Sequence, residues 1–353
     1  MPSTRSQLNF VGDVMLGRLI DQLLPNHVRC PEDARHVAHF VAINPELRDY
    51  GFKSPWGNTI PLFHSANLNL INLETSVTNH HRPWPNKVFN YRMHPMNIQC
   101  LKEAGIHYTS LANNHTLDYS EEGLLETVRT LKDAGIAFAG AGETRDEACR
   151  PAILKLQGED NETYSVHVYS VSDHPSDWST VLNFHLIDYS SKTRNHLKSL
   201  LTSSASQPDL KIFSVHWGPN YSWTPSNNIR SLAHFLIDEC GVDIIHGHSS
   251  HHIQGVEVYK EKLIIYGYRN NISAIWRVTV EKSEEEDRGK LVVKKLQVFP
   301  SCIKRFQVNL LEQHDTDHRW ALGKFRELTG AFGTKVEKAV GQDGQIVVDL
   351  TSQ

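Results

Sequence analysis

The sequence predicts an α/β protein in which buried strands alternate with helices. Residues 96–139 carry the clearest signal, because two amphipathic segments end at Gly105 and Gly135 and each is followed by a short apolar run. Crossovers of this kind join parallel strands. The run at residues 68–73 is also apolar enough for a core strand, so a largely parallel sheet is expected.

The elements can be assigned in chain order. Residues 8–11 read as the first strand, which turns sharply at Gly12 and Asp13, while prolines interrupt residues 25–60 and predict an irregular surface insertion. Ser120 is expected to cap the helix that ends at Gly135. The remaining assignments are strands at 164–171 and 211–215, a helix at 228–240, a buried strand from 243 that runs into four histidines, and a hairpin over 256–266.

The chain changes character after about Trp276, where charged loops alternate with separate β segments. A charged run at residues 284–289 predicts a solvated turn, and the last strand is expected at 345–350. No chemistry-bearing pattern is found in this part. The sequence therefore predicts one large domain over residues 1–276 and a small β-rich C-terminal extension, residues 277–353, packed on that core.

Composition excludes several classes of protein. With 353 residues, 39% hydrophobic and 22% charged, the chain is an ordinary globular protein rather than a disordered or fibrous one. A net charge of -4 and the lack of a basic run argue against a nucleic-acid partner, and none is predicted. There is no apolar signal core and no stretch long enough to cross a bilayer, so a cytoplasmic location is expected. No oligomeric state follows from the sequence.

The five cysteines are odd in number and widely scattered. They lie at Cys30, Cys100, Cys149, Cys240 and Cys302, without any C-x-x-C pair. The spacing indicates neither a disulfide framework nor a thiolate zinc site, and it is typical of a reducing compartment.

Polar residues follow several predicted strands at their carboxyl ends, which share one edge of an α/β sheet. The set comprises Asp13, Glu74, Asn114, His115, His216, His248 and His251. Oxygen and imidazole donors without thiolates suit Mn²⁺, Fe or Zn²⁺ better than Ca²⁺. One or two such ions are predicted, and a pair about 3.5 to 4 Å apart can polarise a phosphoryl group.

Each of these residues also has a simpler interpretation. Asp13 alone would be expected to cap a helix or form a turn, His115 could be a buried structural histidine, and Arg18 could pair with a carboxylate. Gly12 and Gly17 do not have the spacing of a nucleotide-binding P-loop, and no lysine follows them. A metal site is therefore predicted from the whole set of residues and not from any one of them.

Five segments occur in unbroken order over residues 8–272: Gly12-Asp13 with Arg18, Asn72-Leu73-Glu74, Asn113-Asn114-His115 with Asp118, His216-Trp217-Gly218, and residues 247–251 with Gln254 and Glu257. Together they resemble the CapA family of bacterial capsule and poly-γ-glutamate synthesis proteins. That family looks like a branch of the calcineurin-like metallophosphoesterases, so the resemblance implies a double β-sheet sandwich flanked by helices.

The resemblance also implies roles. A metal-dependent phosphoesterase-type hydrolase would be expected, acting on an anionic small molecule or polymer in connection with poly-γ-glutamate synthesis. His115 would protonate the leaving oxygen, Asp118 would orient its ring, and Arg18 could hold an anionic oxygen. The implied metal ligands are Asp13, Glu74, Asn114, His216, His248 and His251.

Three departures from the wider superfamily leave alternatives open. Met15 stands where a histidine is usual, Ser249 and Ser250 replace a histidine and a proline, and Arg269 stands where glycine is usual. His248 would then substitute from the neighbouring position, or only His251 would bind. A non-catalytic subunit that binds a polyanionic polymer or a partner protein is the alternative function. Hydrolysis of an amide with the same ligands is a third.

Overall fold

The computed structural model describes residues 5–158, 162–203, 207–267, 272–284 and 291–350. It contains strands and helices in mixed order, which confirms the α/β prediction. The strands are β1 (Arg5–Val14), β2 (Leu68–Leu73), β3 (Ser76–Val77), β4 (Arg92–Met93), β5 (Tyr108–Ser110), β6 (Ala137–Ala139), β7 (Ala152–Gln157), β8 (Thr163–Ser172), β9 (Leu210–His216), β10 (Ile244–His248), β11 (Val256–Tyr259), β12 (Lys262–Ile265), β13 (Ile272–Lys282), β14 (Leu291–Lys304), β15 (Gln307–Leu310) and β16 (Ile346–Asp349).

Helices fill the connections between these strands. They are α1 (Leu19–Leu23), α2 (Pro31–Ile43), α3 (Ile60–His64), α4 (Gln99–Glu103), α5 (Ser120–Ala134), α6 (Arg145–Cys149), α7 (Ser191–Thr202), α8 (Asn227–Cys240) and α9 (Thr316–Gly330), with 3-10 turns at Pro45–Asp49, Ser54–Thr59, Pro95–Ile98 and Ser176–Trp178. Within the described ranges, none of these helices is both long and apolar enough to cross a membrane.

The strands form two large sheets. The larger sheet has the order β15-β14-β13-β1-β2-β5-β6, with β16 beside β14, and its β1, β2, β5 and β6 are parallel. The smaller sheet has the order β11-β12-β10-β9-β8-β7, and its β8, β9, β10 and β12 are parallel. In the larger sheet the parallel strands form one side as far as the β6 edge and antiparallel strands form the other side, whereas in the smaller sheet the parallel strands are central and β11 and β7 are antiparallel edges.

The two sheets pack face to face. One apolar cluster combines Phe10 and Leu70 of the larger sheet with Val168 and Ile212 of the smaller one, and all four are fully buried. Alternation along each strand sends the next residues to the outer face, where helices cover them. Burial of each aliphatic side chain between the sheets contributes about 2 kcal/mol to the free energy of unfolding, because the side chain is removed from water. The sheets are thereby held in a fixed relation, which positions the strand ends described below.

The outer faces carry separate apolar clusters. On the larger sheet, Ile71 packs with Leu124 of α5, and on the smaller sheet Ile245 packs with Leu232 of α8. The glycines after these helices, Gly135 and Gly241, have positive φ angles of 72° and 66°, as a left-handed helix terminus requires.

Two sequence-based expectations are wrong. Residues 25–60 are not irregular, because α2 occupies Pro31–Ile43 with Pro31 in its first turn, where a missing N–H leaves no hydrogen bond unmade. Ser120 does not cap α5. Its φ is 64°, and its hydroxyl donates to the carbonyl of Arg82 at 3.3 Å.

The C-terminal strands continue the larger sheet. Strand β13 pairs with β1 on one side and with β14 on the other, so the predicted boundary between residues 276 and 277 falls inside β13. The predicted turn at 284–289 lies outside the described residues from 285 onward.

Candidate metal centre

The carboxyl ends of β1 and β2 meet those of β9 and β10 along one line, which we call the inter-sheet seam. Parallel pairing sets Asp13 beside Asn72 in the larger sheet and His216 beside His248 in the smaller one. A β-bulge between Val11 and Asp13 shifts the register there, and bulges re-aim the side chains that follow them. Residues distant in sequence are thereby brought together.

Asp13, His216 and His248 form what we call the first donor cluster. The Nδ1 atoms of His216 and His248 are 2.9 Å apart, and they lie 3.8 and 3.9 Å from Oδ1 of Asp13. Metal bonds of about 2.0–2.2 Å place neighbouring ligand atoms roughly 3.0–3.5 Å apart. The observed spacing therefore fits three ligands of one divalent cation after small side-chain movements.

A strained turn brings a third imidazole, and with it a fourth possible donor, to this cluster. His251 Nδ1 lies 3.5 Å from Oδ2 of Asp13, and the backbone N–H of Ser249 donates to the same oxygen at 3.3 Å. Ser249 and His251 have φ angles of 95° and 50°, which lie in a backbone region that residues other than glycine seldom adopt. Such strain is concentrated at functional sites. Ser249 thus contributes its backbone N–H to the site.

A chain of amides holds the carboxylate in place. Asn72 donates from Nδ2 to Oδ1 of Asp13 at 2.8 Å, and Asn113 donates to Oδ1 of Asn72 at 2.9 Å. Asn114 is placed differently, because its Oδ1 is buried without a hydrogen-bond partner. An unpaired buried oxygen is costly, so this atom is suited to bind a cation.

His115 lies on the other side of the seam and is fixed by Asp118. Its Nδ1 is 2.6 Å from Oδ2 of Asp118, and its Nε2 is 4.0 Å from Oε1 of Glu74. The ring stacks on Tyr91 with centroids 4.1 Å apart, and Lys87 forms an ion pair with Asp118. The ring is thus held on three sides, and Nε2 is the atom directed toward Glu74.

Protonation in the first donor cluster favours a bound cation. Burial raises the pKa of Asp13, but the neighbouring ring of His251 and the amide of Asn72 outweigh it and lower that pKa to about 2. Burial lowers the pKa of His216 and of His248 well below the ordinary histidine value, and nearby imidazoles add to the effect. An ionised carboxylate and two neutral rings are the forms that bind metals.

The carboxyl group of Glu74 differs from that of Asp13 in its protonation. Burial raises its pKa well above the ordinary glutamate value, and the charges of Asp13 and Asp118 raise it further, while Lys87 acts in the opposite direction. Its side chain is 6% exposed. Without a cation, Glu74 therefore tends to retain its proton, and a positive charge nearby would release it.

A cavity of about 890 Å³ opens beside these residues. Asp13, Glu74, Asn114 and His115 line one end together with Arg18 and Lys87, and apolar residues that include Met15, Trp56 and Phe306 line the rest. Arg18 donates to both carboxylate oxygens of Asp33 at 3.0 to 3.2 Å, with 37% of its side chain exposed. Arg18 thus pairs with a carboxylate, which is one of the two roles that the sequence left open for it, and its guanidinium still borders the cavity.

All nine residues predicted from sequence lie at or beside this cavity, with His216 and His248 buried behind Asp13. Sequence reasoning missed Lys87 and Tyr91, which stand in an irregular loop without any pattern that marks them. It also missed His174, whose ring centroid is 4.9 Å from that of His216. Arg269 lies outside the described residues.

Comparison with known proteins gives a consistent picture. Residues 7–274 match the family described as bacterial capsule synthesis protein PGA_cap. A probable polyglutamine synthesis accessory protein of Mycobacterium tuberculosis is 29% identical over 356 residues, which cover 92% of this chain and 91% of that protein. Capsule biosynthesis protein CapA of Bacillus anthracis is 25% identical, covering 74% of this chain and 58% of that protein. PGA biosynthesis protein CapA of Bacillus subtilis is 22% identical, covering 74% and 62%.

The family match extends over most of the chain and includes every residue predicted for the site. The resemblance to the CapA family that the five sequence segments indicated is confirmed by these relatives. The chain therefore belongs to the PGA_cap family of bacterial capsule synthesis proteins.

Proposed function

We propose that this protein is a metal-dependent phosphoesterase-type hydrolase associated with poly-γ-glutamate synthesis. The observation that carries the proposal is the first donor cluster, set beside a cavity that also presents the His115–Asp118 pair. The packing of two sheets between helices supports assignment to the calcineurin-like metallophosphoesterases. The names of the relatives from Bacillus support the link to capsule polymers.

The residues present fit a divalent cation such as Mn²⁺, Fe or Zn²⁺. Asp13, His216 and His248 would hold one ion, and Glu74 with the unpaired oxygen of Asn114 would extend the site toward a second. His251 would complete the set. A bound ion supplies Lewis-acid polarisation of a phosphoryl group.

The remaining steps belong to the protein. Arg18 and Lys87 place two cationic groups at the end of the cavity that holds the donor residues, where they would attract an anionic substrate. Burial lowers the pKa of His115, with Asp118 acting in the opposite direction. A phosphate group beside the ring would favour its protonated form. Nε2 could then give its proton to the leaving oxygen as the P–O bond breaks, while water supplies the new oxygen on phosphorus.

Turnover of an aryl phosphate by the purified protein with Mn²⁺ tests this function. The wild type is expected to be active only with the ion, and His115→Ala should lower kcat by about 10²- to 10⁴-fold while leaving bound metal unchanged. His314→Ala, which alters a histidine that is 80% exposed, serves as the matched control. Metal-independent turnover, or equal rates in both variants, would contradict the proposal.

The raised pKa of Glu74 leads to a separate prediction about proton release on metal binding. Because its pKa is raised in the absence of a cation, Mn²⁺ binding should release a proton at mildly acidic pH, between the ordinary glutamate pKa and the raised one. Calorimetric titration in two buffers of different ionisation enthalpy measures that proton. Glu74→Gln should bind Mn²⁺ without releasing it. Identical proton release in wild type and variant would assign the proton to another group.

A second function is favoured by Met15, which lines the cavity where metallophosphoesterases usually carry a histidine. In that case the protein is a non-catalytic subunit that binds a polyanionic polymer or a partner protein. Metal analysis separates the two functions. Bound metal that is lost in Asp13→Ala supports the enzyme, and a stable protein that takes up no metal at this cluster supports the subunit.

A further inference from the structure

A second group of possible metal ligands lies apart from the first donor cluster. Cys149, His185 and His196 each offer a ligand atom, and these atoms all lie within 4.8 Å of one another. Cys149 is the last residue of α6, His196 belongs to α7, and His185 lies in the segment before that helix. We call these three residues the second donor cluster.

His185 is the central member of this cluster. It is only 5% exposed, and its Nε2 is buried without a hydrogen-bond partner. Its backbone is fixed on both sides, because its N–H donates to Gly140 at 2.9 Å and its carbonyl accepts from Ser172 at 3.1 Å. A buried ring nitrogen without a partner is costly. A cation at this position would remove that cost.

We propose that Cys149, His185 and His196 bind Zn²⁺. One thiolate and two imidazoles are ligands that zinc prefers, and they differ from the carboxylate, amide and imidazole donors of the first cluster. Because His196 is exposed, a fourth coordination position is open to water. This site is independent of the proposed phosphoesterase function.

The protonation of the cluster suits such an ion. Burial lowers the pKa of His185 to about 4, and the neighbouring His196 adds to this effect, so the ring is neutral and its lone pair is available. Burial raises the pKa of the Cys149 thiol, against a smaller opposite effect of Arg145. Zinc binding would therefore release the thiol proton to solvent as the Zn–S bond forms.

The position of the cluster suggests what zinc would do. Gly140 follows β6 of the larger sheet and Ser172 ends β8 of the smaller one, so His185 bridges the two sheets through its backbone. An ion bound to Cys149 and His196 would also fix α6 and α7 to this bridge. The site is thus expected to stabilise the packing of the two sheets rather than to take part in the reaction.

Titration of the purified chain with Co²⁺, which substitutes for Zn²⁺, tests the site. A thiolate ligand gives a sulfur-to-cobalt charge-transfer absorption in the near ultraviolet, which the thiol-free first donor cluster cannot produce. We expect this absorption to saturate at one ion per chain and to persist in Asp13→Ala. It should disappear in Cys149→Ser and remain in Cys302→Ser, the matched control at another half-buried cysteine.

His196→Ala provides a second variant that does not threaten folding, because this side chain is exposed. It should weaken Co²⁺ binding at the thiolate site. In an Asp13→Ala background, where the first donor cluster is disabled, it should also abolish the rise in melting temperature that Zn²⁺ gives. The proposal is overturned if no charge-transfer absorption forms, if it survives Cys149→Ser, or if His196→Ala binds Co²⁺ as tightly as the wild type. Loss of phosphatase activity alone would not bear on it.

Discussion

His216→Ala is expected to lose the ion of the first donor cluster and with it all measurable phosphatase turnover. His216 supplies one of three clustered ligand atoms, and its Nδ1 is 2.9 Å from that of His248. Removal of an indirect partner of a metal ligand already costs 10- to 100-fold in affinity, so loss of the ligand itself should cost at least about 100-fold. Metal content after dialysis and kcat measured with added Mn²⁺ provide the readouts.

The control for this variant is His234→Ala. His234 is half-buried on α8 and does not line the cavity. Its Nε2 lies 3.0 Å from Oε1 of Glu257. It should keep both metal and turnover. If His216→Ala kept full metal content at the first donor cluster, the assignment of ligands would be wrong, whatever the activity of the variant.

Asp118→Asn is expected to lower both stability and turnover. The carboxylate is fully buried and is shared by Lys87, by Nδ1 of His115 at 2.6 Å and by the backbone N–H of Tyr91 at 2.5 Å. Its replacement by a neutral amide leaves the mostly buried ammonium of Lys87 without its counter-charge. Loss of one partner of a buried pair costs about 3 kcal/mol in the free energy of unfolding.

A double-mutant cycle separates this charge effect from the loss of other contacts. Once Lys87→Met has removed the ammonium, Asp118→Asn should cost at least about 1 kcal/mol less than it does in the wild type. Urea denaturation measures each variant. An equal cost in both backgrounds would mean that the ion pair does not account for the stability of this region.

The convergence of the candidate site residues could be predicted from the sequence because these residues follow strands. Asp13, Glu74 and His216 could be assigned to one edge, since the carboxyl ends of parallel strands meet there. The apolar runs that place them, such as residues 68–73, depend on local periodicity alone. The predicted helix at 228–240 was likewise confirmed within one residue at its start.

What could not be predicted depends on contacts between segments distant in sequence. Lys87 reaches Asp118 from a loop without periodicity, and Cys149 meets His185 and His196 only after α6 and α7 have packed. A C-x-x-C motif marks zinc ligands that are neighbours in sequence, whereas Cys149, His185 and His196 lie farther apart in the chain. The same limit applies to β13 and β14, because their pairing with β1 and with each other joins segments that are distant in sequence.

The inter-sheet seam has a consequence for folding. Asp13 comes from a strand near the start of the chain, whereas His216 and His248 belong to the other sheet, so no local segment contains the three ligands of the first donor cluster. A nascent chain cannot assemble that cluster before β9 and β10 have been synthesised and have docked on the earlier strands. Ion uptake would then be a late event in maturation, and it would distinguish finished molecules from partly folded ones.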